Sequence, residues 1–60
     1  MKTATLVNRF NGVEVEVHST TEHPDSHYGI PVWVDKEGVA YIEDTEMVNP
    51  FYAVKDVKED

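Results

Sequence analysis

Three histidines, His18, His23 and His27, fall within ten residues, with Glu22 and Asp25 among them. They are the densest group of side chains in this chain that could do chemistry. Imidazole and carboxylate are competent ligands for zinc or nickel, and three such ligands plus a water describe a catalytic metal centre. The spacing does not follow a metal signature, because the chain has no cysteine and no HExxH pattern. His23 and His27 would stand at i and i+4 only if residues 23–27 wound into a helical turn. The expectation is three ordinary loop and surface histidines, with no metal and no cofactor.

Glu14 and Glu16 stand two apart and so share one face of a strand. Two carboxyls a few Å apart could act as an acid–base pair, but an exposed polar strand face produces the same pattern. Ser19 and Ser26 sit in no nucleophile elbow. Gly12, Gly29 and Gly38 each read as turn residues, so no phosphate-binding glycine loop is present. Nothing here argues for catalysis, and the chain is expected not to be an enzyme.

Charge is more informative. Twelve acids against five Lys and Arg leave a formal net charge of −7. Residues 1–20 are neutral in sum, and the excess lies in residues 21–50. Direct nucleic-acid binding needs a basic stripe to displace counterions from phosphates, and none exists. An anionic membrane is excluded on the same ground, and no run approaches the ~20 apolar residues of a spanning helix. A protein with a basic surface is the partner this charge suits. The residues expected to meet it are Asp35, Glu37, Glu43, Asp44 and Glu46, with Tyr28 and Met47 as apolar anchors. Tyr28 lies in His23–Trp33, a connection that also holds two His, two Pro and Trp. Exposure of Tyr28 would favour binding over structure, since exposed aromatics anchor interfaces. Met47 follows the acidic run Glu43-Asp44-Thr45-Glu46 and precedes Val48-Asn49-Pro50-Phe51.

The elements that must position these residues are strands. Thr3–Phe10 and Val13–His18 alternate apolar and polar residues around Asn11-Gly12. Asn-Gly between alternating runs predicts a two-residue type I′ hairpin. That turn sets Phe10 opposite Val13, Asn8 opposite Val15 and Leu6 opposite Val17. Glu14 and Glu16 then oppose Arg9 and Val7. A second hairpin, Val32–Val34 and Val39–Ile42, flanks Asp35-Lys36-Glu37-Gly38 and suits a type I turn with a glycine bulge. It predicts Val34 opposite Ala40, Trp33 opposite Tyr41 and Val32 opposite Ile42. A fifth strand follows Pro50. Pro24–Tyr28, with proline at its start and Gly29 beyond its end, predicts one short helical turn near 24–28.

The expected fold is all-β: one domain over residues 1–60, with strands near 3–10, 13–20, 31–35, 39–43 and 51–57. They should form a small five-stranded antiparallel sheet, two hairpins plus a C-terminal strand, curled into an SH3-like partial barrel. Small size, acidity and lack of cysteine resemble the small proteins of phages and mobile elements, which often bind and block a host protein. The resemblance implies a cytoplasmic inhibitor that occupies a basic, nucleic-acid-binding surface. The alternatives are an assembly domain that homodimerises by pairing edge strands or packing Trp33 and Tyr41, and, less favoured, a metal-dependent enzyme built on the histidine loop. The start at Met1 favours a whole gene product over an excised piece.

Overall fold

The computed structural model describes residues 1–45 and 47–59. Five strands appear: β1 (Lys2–Asn8), β2 (Glu14–Thr20), β3 (Val32–Asp35), β4 (Ala40–Glu43) and β5 (Tyr52–Glu59). They form one antiparallel sheet in the order β4-β3-β2-β1-β5. The all-β expectation holds, and no helix among the described residues is long and apolar enough to cross a membrane.

The first hairpin corrects the expected register. Leu6 opposes Val15, Ala4 opposes Val17 and Val7 opposes Glu14, a slip of two residues from the type I′ alignment. The cause is local. The Asn8 side chain accepts the backbone N–H groups of Phe10 (2.8 Å) and Asn11 (3.2 Å), and Asn11 Oδ1 accepts that of Val13 (2.9 Å). Such Asx bonds widen the turn to residues 9–12, closed by Asn8 N–H to Val13 O. An even slip keeps every strand residue on its intended face, so Leu6, Val15 and Val17 still face the core. Phe10 does not, because it now lies in the turn, and Val13, which closes the turn, is exposed as well. Gly12 has φ +75° with no atom near the place of a Cβ. Gly12→Val is therefore expected to cost about 1–2 kcal/mol through backbone conformation alone, read as a lowered melting temperature. An unchanged Tm would refute it.

The second hairpin pairs Val34 with Ala40 as expected, but Val32 with Glu43 rather than Ile42. The extra residue in β4 lets both Tyr41 and Ile42 pack toward the core, which consists of Ala4, Leu6, Val17 and Trp33. Tyr41 does not pair with Trp33. Its ring meets Tyr52 edge-on, centroids 5.6 Å apart. Since β4 and β5 are the two edges, the sheet curls until its rims touch through these side chains while its ladder stays open. Trp33 is 2% exposed and Leu6 fully buried, so Trp33 packs inside the chain's own core. Edge pairing through β5 is also obstructed. A bulge holds Asp56 at φ +54°, and Lys55 and Lys58 flank it, two devices that blunt an edge strand.

Over and just beyond the segment expected to make one short helical turn, two successive turns close with i→i+3 bonds. Ser26 N–H bonds His23 O and Ile30 N–H bonds His27 O, each at 2.9 Å.

Candidate functional site

The acids fall into two classes that the sequence does not distinguish. Asp35 and Asp44 are structural. Asp35 is buried. Its Oδ1 accepts the backbone N–H groups of Glu37 (2.9 Å) and Val39 (3.0 Å), and its Oδ2 accepts the Tyr41 hydroxyl (2.9 Å). The bond from Val39 is the main reason its pKa lies below the usual carboxylate value; burial opposes the shift, and Tyr41 and the turn amides add to it. Tyr41 is pushed up in turn, chiefly by its bond to Asp35. Asp44 is held by the Ser19 hydroxyl at 2.7 Å and by Lys2 at 3.2 Å, while its N–H bonds Pro31 O. Lys2 itself lies over the Trp33 ring, 5.6 Å from its centre. Both carboxylates are therefore engaged within the fold. Reversing Asp44 to Lys is expected to disturb the fold, since it would lose the Ser19 and Lys2 partners.

Glu37 and Glu43 are exposed, as expected of steering charges. Glu46 lies outside the described residues. Met47 is 83% exposed.

The histidines are not brought together. Among the described residues no group of three His, Cys, Asp or Glu side chains could hold a metal. His23 has a structural task. Its Nδ1 accepts the N–H of Asp25 (3.0 Å), so Nε2 carries the proton and donates to Gly38 O (2.9 Å). This pins the β2–β3 connection to the tip of the second hairpin and gathers Asp25 and Glu37 on one side of the molecule. His27 is exposed, and His18 lies on β2.

Glu14 and Glu16 line an open hollow of about 550 Å³ with Asp35, Glu37 and Tyr41. Glu14 is paired with Lys55 at 2.9 Å rather than with Arg9. Asp35 is held ionised, the opposite of what a general acid requires.

Tyr28 stands apart from all of these. It is fully exposed (101%) and occupies the first central position of the turn His27–Ile30, with φ +56° followed by Gly29 at +73°. Two positive φ values mark a type I′ turn, where glycine, asparagine or aspartate is usual. A bulky residue there is a conformational outlier. The turn is fixed by the Ser26 hydroxyl donating to Ile30 O at 2.7 Å.

A second exposed group was missed in the sequence. Phe10 and Phe51 meet with ring centres 6.0 Å apart, and both are exposed. The expected two-residue turn would keep Phe10 in β1, opposite Val13. The only available signal was Asn8, whose side chain can open a wider turn.

Comparison with protein-family models, with curated proteins and with solved structures finds no match to this chain.

Proposed function

We propose that this chain is a non-enzymatic protein-binding module that docks on a basic protein surface through Tyr28 and the exposed acids Asp25 and Glu37. The observation that carries the reading is Tyr28 itself. It buries nothing, and it occupies a left-handed conformation that costs a bulky residue about 1–2 kcal/mol. A side chain that weakens its own fold and contributes no packing is accounted for by a contact outside the chain. Asp25 and Glu37, gathered on one side by the His23–Gly38 bond, supply charge for steering, with Glu43 elsewhere on the surface. A partner whose basic surface serves nucleic acid fits this charge, and the chain would then act as its inhibitor.

The test begins with affinity capture at low and high salt to identify the partner, followed by two variants. Tyr28→Ala should weaken binding tenfold or more, the scale of an aromatic anchor. Tyr28→Asn should also lose binding, yet raise Tm by roughly 4–8 °C, because asparagine tolerates the left-handed region and about 1 kcal/mol is recovered. Wild-type affinity in both variants would overturn the proposal.

A further inference from the structure

We infer that the turn 9–12 carries a self-modification site, at which Asn11 cyclises onto the Gly12 nitrogen, releases ammonia and reopens as aspartate or isoaspartate. The inference is independent of the Tyr28 reading. The chain has three carboxamide side chains, Asn8, Asn11 and Asn49, and no glutamine. All three are held alike. Each Oδ1 accepts the amide two residues on: Phe10 N–H on Asn8 (2.8 Å), Val13 N–H on Asn11 (2.9 Å) and Phe51 N–H on Asn49 (2.7 Å). Such a bond folds the side chain back over the next peptide, so its Cγ stands beside the nitrogen that follows. It also places a donor on the oxygen that gains charge when that nitrogen attacks.

What differs is the attacking nitrogen. After Asn49 it belongs to Pro50, which has no N–H proton to give up. After Asn8 it belongs to Arg9, whose N–H is tied to Phe51 O of a distant segment at 2.9 Å and whose Nη1 donates to Asn49 O. After Asn11 it belongs to Gly12. No side chain shields that nitrogen, nothing lies within 4 Å of the place of a Cβ, and Asn11, Gly12 and Val13 are all exposed. The Gly12 N–H donates to Asn8 O at 2.8 Å. That bond lies within the turn itself, so freeing its proton parts no two strands, and the reacting atoms are already placed together. In the reaction a solvent base takes the Gly12 proton, the nitrogen bonds to Asn11 Cγ, and the Cγ–Nδ2 bond breaks as Nδ2 gains a proton and leaves as ammonia. Water then opens the succinimide at either carbonyl. One opening gives aspartate; the other gives isoaspartate, which inserts a methylene into the main chain. Both add a negative charge next to Phe10, and the second lengthens the turn that Asn8 N–H and Val13 O close.

Incubation of the native protein at mildly alkaline pH, with peptide mapping by mass spectrometry and enzymatic methylation of isoaspartate, tests the inference. The mass gain of amide-to-acid conversion should appear at Asn11, partly as isoaspartate, while Asn8 and Asn49 stay intact. Its rate should be flat in urea below the unfolding transition, because only the turn has to open. Asn11→Gln should end the conversion. The isoaspartate fraction, separated by ion exchange, should melt below the unmodified chain. A native Asn11 that stays intact while the urea-unfolded chain converts would overturn the inference, since the turn would then protect the site. So would a rate that climbs steeply with urea in the native range, an equal conversion at Asn8, or a mass gain that persists in Asn11→Gln.

Discussion

Trp33→Ala is expected to leave most of the chain unfolded at 37 °C. Trp33 is 2% exposed and packs with Leu6, Ala4 and Val17, with Tyr41, Ile42 and Tyr52 around them. Truncating a buried tryptophan costs about 3–5 kcal/mol, from lost transfer energy and the cavity left behind. A 60-residue chain commands roughly 3–9 kcal/mol in total at the usual stability per residue. The two ranges overlap, so one substitution removes from about a third to all of the margin. The loss of Lys2 packing over the ring, and with it the setting of Asp44, acts in the same direction. Thermal melts by circular dichroism should show no cooperative transition above 37 °C for Trp33→Ala and an intermediate one for Trp33→Phe. A Tm within a few degrees of wild type for the alanine variant would mean that the core is not centred on Trp33.

The second large effect belongs to Asp35. Its carboxylate gathers two turn amides and the Tyr41 hydroxyl, so it ties the tip of the second hairpin to the aromatic that bridges the rims of the sheet. Its folded pKa lies below the ordinary value. The native state therefore binds this proton less readily than the unfolded chain does, and stability rises with pH through the acid range. The contribution is complete above about pH 4, the unfolded value, and fades as pH falls through the lowered folded one. Tyr41 has the opposite sign. Its raised pKa means that stability is complete below about pH 10 and is lost as pH climbs through the raised value. Wild type should consequently lose Tm at both extremes. Asp35→Asn should lower Tm at pH 7, flatten the acid limb and return the Tyr41 phenol toward its ordinary titration. Asp35→Ala should be worse, since it leaves the two amides and the hydroxyl without their acceptor. An acid limb as steep in Asp35→Asn as in wild type would show that another carboxylate governs it.

The sequence by itself determined the strands and their faces. Alternation over 3–7 and 13–18 is a local property of the chain, and side-chain parity survives any even slip, so Leu6, Val15 and Val17 were legible as core even with the register wrong by two. Asp35 and Gly38 at the first and fourth turn positions placed the second turn correctly for the same local reason, with Gly38 at φ +88°. What tertiary structure alone decided was the fate of each polar or aromatic group once distant segments met. Asp35 and Asp44 read as surface acids, yet Tyr41, Ser19 and Lys2 take them up, partners 6, 25 and 42 residues away. Hairpin register alone sets Tyr41 opposite Trp33, but curling of the sheet delivers Tyr52 from the opposite edge. Phe10 leaves β1 for an exposed turn in which Asn8 accepts the Phe10 and Asn11 amides. Tyr28 could be singled out by composition, but its exposure and left-handed backbone arise only when Ser26 and His27 close the turn around it. Local periodicity is written along the chain. Hydrogen-bond partners and exposure depend on which remote groups arrive, and curvature and loop closure decide that.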